Sequence, residues 1–563
     1  VDDKGRFIEE VPYFSGENVF KANKLIIEHM RENGLLIWEG NITHSYPHCW
    51  RCKKPVIFRA TTQWFISMNH QDLRHRALQE IDKVRWIPSW GRERIYSMVE
   101  KRPDWCLSRQ RAWGVPITLF VCKKCGYIIK DEQLFSKIGE LIEKKGSDVW
   151  FRLNLDDFLP DYSCPECGSK DFNKEKDILD VWFDSGVSHA AVLERNPMIG
   201  WPADMYLEGS DQHRGWFQSS LITSLGNKGR APYKIVLTHG FTVDGQGRKM
   251  SKSLGNVIAP QEIIKSNGAD IVRLWVSAED YRDDIKLSQE ILSRLTEAYR
   301  KIRNTLRYLL GNVYDYDGKD YQAHLLEIDR WAMMKLQKLI KKVKTAYENF
   351  EFHQVFHAIH NFCVTDMSAF YLDILKDRLY TFKADSLDRR AAQWVIYNIA
   401  DSLIKLIAPI LSFTAEEAWQ YLPFKKTESV FLDRLPELDG SFINDELEAK
   451  WEKLIELRDK VNRSIELKRQ EKFIGNSLES KIVLQVNKKL KKFLSPYVDF
   501  LPFLFIVSQV EIKDLSDQLD EEFIINVERA EGQKCQRCWN YSPMVGKLEI
   551  QDVCPRCYHV LKT

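Results

Sequence analysis

The chain has 563 residues, of which 44% are hydrophobic and 29% charged, with a formal net charge of +2. One hydrophobic core rarely serves so long a chain, so several folded domains are expected and a disordered polymer is excluded. No apolar run reaches the roughly 18 residues that a membrane-spanning helix needs, and with so little net charge any nucleic-acid contact has to come from local basic faces.

In chain order, residues 1–75 mix short strand-like and helical runs. Residue 1 is Val and no signal peptide precedes it, so the chain is expected to be the C-terminal part of a longer protein. Residues 76–117 run into DWCLSRQRAWGVP (104–116), and residues 118–176 form a small excursion holding four cysteines. Residues 177–287 contain two strand-like runs, DMYLEG (204–209) and YKIVLTHGF (233–241), around the helical pattern GWFQSSLITSLGN. Strand–helix–strand predicts a parallel sheet, with ligand at the carboxyl ends of the strands.

Residues 288–440 change to long helices. The first is capped at Ser288 and stops at Gly311, with Ile291, Leu295, Ile302, Leu306 and Leu309 near one face and Arg294, Lys301 and Arg303 elsewhere. Further helices are expected at about 328–350, 353–378 and 386–422, and short loops between them predict an antiparallel bundle. Residues 441–530 read as a small α+β region: a charged helix over 445–470, then strands KIVLQV (481–486), LFIVSQVEI (504–512) and FIINVERA (523–530). Residues 531–563 end the chain in a cysteine ribbon.

The twelve cysteines fall mostly into close pairs. Cys535-x2-Cys538 and Cys554-x2-Cys557, 15 residues apart, have zinc-ribbon spacing, because two knuckles supply four thiolates to one tetrahedral ion. Cys122-x2-Cys125 and Cys164-x2-Cys167 make a second set across a 38-residue excursion. Four cysteines leave no open coordination position, so both sites read as structural. Disulfides or free thiols are the alternative. Cys49 and Cys52 form a third knuckle with no partner pair, read as half a zinc site or as a turn without metal.

Lys249, Met250, Ser251, Lys252 and Ser253 spell KMSKS, just after the turn Gly245–Gln246–Gly247. Lysine charge, serine donors and a glycine-rich backbone suit a loop that holds polyphosphate and stabilises a leaving pyrophosphate. By itself, a lysine–serine run is ordinarily solvated surface. Its context is YLEGSDQHRGWFQSS (206–220), KIVLTHGFTVDGQGRKMSKSLGN (234–256), DWCLSRQRAWGVP and LDVWFDSG (179–186). In this order the motifs resemble the second half of a class I aminoacyl-tRNA synthetase of the bacterial isoleucyl type, over essentially the whole chain.

The resemblance implies a multidomain α/β + α protein. Its parts would be the C-terminal part of an editing insertion (1–75), a return to the catalytic domain (76–117), a zinc-knuckle insertion (118–176) and the second half of a Rossmann-type catalytic domain (177–287). A helical anticodon-binding domain (288–440), an α+β junction (441–530) and a zinc ribbon (531–563) would follow. It implies ligation of L-isoleucine to tRNA(Ile) through isoleucyl-adenylate, with ATP and Mg2+, in a cytoplasmic monomer without a membrane. Lys252 and Lys249 would contact the phosphates in the transition state, and Ser251 and Ser253 would shape the loop. Glu208, Gly209, Asp211, Gln212 and His239 would bind ATP and the adenylate, and Trp113 and Trp216 would wall the amino-acid pocket. Two complete zinc sites and one half-site are implied, the Cys49/Cys52 knuckle pairing with cysteines upstream. The terminal ribbon together with EGSDQHRGWF favours isoleucine over valine. No HxGH element or editing motif occurs here, so the isolated chain is expected neither to activate isoleucine nor to edit. A tRNA-binding module or split subunit without catalysis is the reading from a different class.

Overall fold

The computed structural model describes residues 1–49, 51–251, 254–515 and 522–562. These residues gather into two compact units, Val1–Thr238 and His239–Thr563, so the division falls inside the 177–287 stretch.

The first unit begins with one helix, α1 (Ala22–Glu32), amid a largely irregular and exposed segment. Its centre lies between α2 (Leu73–Lys83), strand β1 (Arg85–Ile87) and α3 (Trp90–Glu100). The excursion follows, with an antiparallel pair β2 (Phe120–Cys122) and β3 (Phe172–Lys174) and helix α4 (Glu132–Lys145). Asp131 caps α4 by accepting from the backbone N–H groups of Gln133 and Leu134. Phe120, Trp150, Phe158 and Phe172 give this small module a core of its own. Then come β4 (Ala203–Gly209), α5 (Trp216–Lys228) and β5 (Tyr233–His239).

The strands order as β1–β5–β4, and β1 runs parallel to β5 with Arg85 opposite Ile235. The expected strand–helix–strand is present, and β1 adds a third strand contributed from 150 residues earlier in sequence. Helix α5 buries Phe217, Leu221, Ile222 and Leu225, together with Gln218, Ser219, Ser220 and Ser224. It is polar and buried at once, and the hydroxyls of Ser219, Thr223 and Ser224 find backbone carbonyls. Ser224 Oγ donates to the carbonyl of Arg230, at 2.8 Å.

The second unit opens with β6 (Thr242–Asp244), α6 (Ala269–Ala278) and β7 (Ile285–Leu287), and β6 and β7 pair in parallel. Helix α7 (Gln289–Asn312) starts at the expected cap, with Ser288 Oγ accepting from the N–H of Ile291. Its buried face is Leu292, Leu295, Ile302, Leu306 and Leu309, and Ile291 lies at the margin. The next helix is α8 (Glu327–Glu348).

The long helix expected over 353–378 is instead α9 (Phe352–Asn361), a wide π-type segment (Phe362–Tyr371) and α10 (Leu372–Thr381). Carbonyls of that segment are met from other helices, Cys363 O by Thr305 Oγ1 and Ala369 O by Arg458 Nη1. The run expected over 386–422 is likewise two helices, α11 (Leu387–Ile407) and α12 (Ser412–Tyr421). Pro409 lies in the break and cannot donate a helical bond. The carboxylate of Asp270 takes the N–H groups of Phe413 and Thr414 at the start of α12.

Helix α13 (Asp445–Gln470) matches its expected span. The sheet after it places β8 (Ser480–Val486) between β9 (Gln509–Asp514), parallel to it, and β10 (Phe523–Arg529), antiparallel to it. The strand read over 504–512 is corrected. Leu501–Phe505 is a short helix with Pro502 in its first turn, and Ile506 turns left-handed before β9 begins at Gln509. Trp331, Trp419 and Trp451 are fully buried in the helical core. Within that core, Arg378 is bidentate to Asp329 at 2.9 and 2.7 Å, and Tyr371 donates to the same carboxylate at 2.8 Å. Removing one partner from such a buried pair costs roughly 3–5 kcal/mol. Among the described residues, no helix is long and apolar enough to cross a membrane.

Candidate functional site

In the first unit, Glu208 and Gly209 end β4, and the chain turns immediately into a 3-10 segment, Ser210–Arg214, holding Asp211 and Gln212. Glu208 and Asp211 are exposed, whereas Gly209 is buried. Gln212 Oε1 accepts from the N–H of Trp216 at 2.9 Å, and Gln212 Nε2 donates to Asp211 at 3.1 Å. His213 lies buried behind the turn, with its Nδ1 bonded to the carbonyl of Ser210 at 3.0 Å. Burial pushes its pKa down, so the imidazole is neutral and supports the turn without adding charge.

Trp216 is stacked on Tyr206, ring centroids 3.9 Å apart, and its Nε1 donates to Ser185 O and Ser188 Oγ. Trp113 does not join it: that indole is 93% exposed. Trp86 and Trp90 flank His213 of the turn, with ring centroids 6.0 and 5.5 Å away, and a third indole beside it is Trp182, of the VWFDSG motif. A Cβ on Gly215 would lie 2.8 Å from the Trp182 ring, so only glycine there allows the indole to sit against α5. Trp182 also borders a cavity of about 380 Å³ lined by Arg102, Trp105, Arg109, Asp180 and Gly215. Asp180 orders that wall, accepting from Trp105 Nε1 at 3.1 Å and pairing with Arg109 at 3.0 Å. The motif had been visible in the sequence, but which of its aromatics faces the turn had not.

In the second unit, His239 ends β5, and its Nδ1 donates to the carbonyl of Gly240 at 2.7 Å. A Cβ on Gly240 would lie 2.3 Å from the carbonyl oxygen of Asp283, so the backbone passes too close for any side chain. The following loop is held by two residues that the sequence did not single out. Asp244 accepts from the N–H groups of Gln246 and Arg248, from Arg248 Nε and from Asn256 Nδ2, all between 2.9 and 3.0 Å. Asn256 in turn accepts from Ser251 N at 2.9 Å and donates to Lys249 O at 3.3 Å. These bonds, Asn256's first, hold the Asp244 carboxyl well below the usual carboxylate range. Met250 packs into the helical core, whereas the Lys249 side chain is exposed. Lys252 and Ser253 lie outside the described residues.

The cysteines form the two expected clusters, each with its four sulfurs within 4.8 Å of one another: Cys122, Cys125, Cys164 and Cys167, and Cys535, Cys538, Cys554 and Cys557. Sulfur pairs lie 3.6 Å (Cys122–Cys167), 3.5 Å (Cys125–Cys164) and 3.6 Å (Cys538–Cys554) apart. A disulfide would need about 2.05 Å, whereas a tetrahedron of 2.3 Å zinc–sulfur bonds has edges of about 3.8 Å. The sulfurs therefore fit a metal and not a covalent bridge. The backbone N–H of Cys125 holds the Cys122 thiol down to about 6 and the hydrogen bond from Cys554 holds Cys538 down to about 4, while hydrogen bonding to these neighbours and burial push Cys125 and Cys554 up, as expected of thiols packed against one another.

Three of the four knuckles share one backbone turn. The first cysteine's carbonyl accepts from residue +4 and its N–H donates to residue +5, as at Cys122, Cys164 and Cys535. Residue +4 is left-handed in each: Gly126, Gly168 and Trp539. Cys49 makes the same two bonds, with Lys53 and Lys54, and Lys53 has φ of 59°. The Cys49/Cys52 turn therefore has the shape of a ligand knuckle, although it belongs to neither described cluster.

Family comparisons agree with these features. The family described as tRNA synthetases class I (I, L, M and V) matches residues 12–288. The anticodon-binding domain of tRNA ligase matches residues 329–484, and the zinc finger found in FPG and IleRS matches residues 532–560. The isoleucine–tRNA ligase of Syntrophotalea carbinolica is 53% identical over 572 residues, covering 100% of this chain and 62% of that protein. Those of Persephonella marina and Geobacter sulfurreducens are 52% and 51% identical, again over 100% of this chain and 62% of the relative. The chain thus spans about 62% of the length of these relatives. It belongs to the class I aminoacyl-tRNA synthetases, and within them it groups with the isoleucine–tRNA ligases.

Proposed function

We propose that this chain supplies adenylate-forming and tRNA-binding parts of an enzyme that ligates L-isoleucine to tRNA(Ile). The observation that carries the reading is the Asp244–Asn256 clamp. It ties both ends of the KMSKS loop and leaves Lys249 facing solvent, as a phosphate-binding loop requires.

In the first step an isoleucine carboxylate oxygen attacks the α-phosphorus of ATP. The bond to the β-phosphate breaks, and pyrophosphate leaves. In the second, the 2′-hydroxyl of the terminal adenosine attacks the acyl carbonyl, and AMP leaves. Neither step needs a covalent enzyme intermediate, so positioning and charge stabilisation carry them. Lys249 and Lys252 meet the charge that builds on the pyrophosphate, where Mg2+ accompanying ATP adds its own. Ser251 and Ser253 shape the loop. Glu208, Gly209, Asp211 and Gln212 hold the adenylate at the end of β4, and His239 meets the nucleotide through Nε2. Trp216 walls the amino-acid pocket, with Trp182 in the role first given to Trp113.

The helices α7–α12 hold the anticodon arm, and both four-cysteine sets carry structural zinc. Residues 1–75 belong to an editing insertion, in which Cys49 and Cys52 offer half of a further site. The setting is cytoplasmic translation, and the enzyme is a monomer. The test is isoleucine-dependent ATP–pyrophosphate exchange by the gene product carrying this sequence. Lys252→Ala should slow exchange by at least two orders of magnitude, the scale of one transition-state charge contact. An unchanged rate would reject the assignment.

A further inference from the structure

Arg537 and Arg556 occupy equivalent places in the ribbon. Each immediately precedes the second cysteine of its pair, in Cys535-Gln-Arg-Cys538 and Cys554-Pro-Arg-Cys557. Both guanidiniums leave the ribbon and converge on the C-terminal end of α10. Arg556 is bidentate to Asp377, at 2.6 and 2.7 Å, and lies over the rings of Phe382 and Phe503. Arg537 donates to the carbonyl of Thr381, the last residue of α10, and also approaches Cys557 Sγ at 3.6 Å. A further tie holds the ribbon to the residue just before β9, from Tyr541 N to Ser508 Oγ at 2.7 Å.

A bidentate arginine–carboxylate pair is directional, and helix C-terminal carbonyls attract cations. Two arginines on separate knuckles can meet one helix end together only if the knuckles keep a fixed separation. Apart from its four cysteines, the described residues of the ribbon bury only Val545 and Val553, too little apolar surface to fix that separation. Four thiolates around one divalent ion fix it instead. The loaded cluster then carries a net charge of about −2, four thiolates against one dication, and Arg537 sits beside it as a counter-charge.

We propose that metal loading of the ribbon and its docking on α10 are one coupled equilibrium, with Arg537 and Arg556 as the positioning residues and Asp377 as their receptor. It rests on reading the Cys535/538/554/557 cluster as a zinc site. The docked ribbon also forms one wall of a cleft of about 860 Å³, lined by Tyr380, Phe503, Trp539 and Pro543 among others. Because coupling is reciprocal, weakening the dock must weaken the metal by the same factor.

The experiment uses the full zinc-loaded chain and two readouts: zinc release to a chromogenic chelator, and amide hydrogen exchange over residues 535–545. Asp377→Asn removes the receptor's charge and one acceptor. It should speed zinc release and ribbon exchange at least about tenfold, and stripped wild type should exchange there as fast as the variant. Arg556→Lys, which keeps the charge but loses the fork, should shift both readouts in the same direction by less. Far-UV circular dichroism checks that α10 stays folded. Zinc release and exchange unchanged in both variants would overturn the proposal, as would a stripped ribbon that remains protected. Neither readout involves isoleucine, ATP or tRNA, so failure of the enzymatic reading would leave this result intact.

Discussion

Trp182 shows what a motif leaves open at the scale of one residue. The two tryptophans in DWCLSRQRAWGVP and the one in LDVWFDSG are equally visible in the sequence. Only the fold reveals that Gly215 makes room for Trp182, while Trp113 stays 93% exposed. Losing a large apolar side chain from a pocket costs about 1.5–3 kcal/mol. Trp182→Ala should therefore raise the KM for isoleucine roughly tenfold to a hundredfold, and Trp113→Ala should leave it within about twofold. Steady-state pyrophosphate exchange ranks the two variants, and the opposite ranking would return the pocket to Trp113. The Asp244–Asn256 clamp was equally hidden. Both residues sit beside a recognisable loop, but spacing alone does not say that one asparagine bonds Asp244, Ser251 and Lys249 together.

At the scale of elements, periodic patterns located most helices. Ser288 caps α7 and α13 spans Asp445–Gln470 as read, because caps and apolar spacing are local signals. The misses are positions where a distant partner decides. The π-type segment takes bonds from Thr305 and Arg458, and α12 starts where Asp270 receives its first N–H groups. The cysteine sets were legible because ligand spacing is itself a local code. What the fold added is that all four sulfurs of each set converge. Metal analysis by mass spectrometry should find two zinc ions per purified chain, and Cys49→Ser with Cys52→Ser should leave that number at two. Zero would reject both sets.

At the scale of the whole molecule, the charge balance of +2 leaves no global field to draw in RNA. On the proposed function, tRNA binding uses local faces such as the exposed Lys341 and Lys342 of α8. Counter-ion release then sets the salt dependence: two or more phosphate contacts lose about tenfold or more in affinity between 50 and 200 mM salt. Filter binding of tRNA to this chain should show that slope, and a flat response would exclude phosphate contacts as the source of affinity. The sequence by itself determined the family, the order of sheet, helices and ribbon, and the two four-cysteine sets, since each is written in neighbouring residues or fixed spacings. Tertiary structure alone decided that Trp182 sits against the turn after β4 while Trp113 does not, which side chains clamp the loop after β5, and where Arg537 and Arg556 dock the ribbon. These contacts join residues from 5 to 179 positions apart, and no fixed spacing in the sequence announces them.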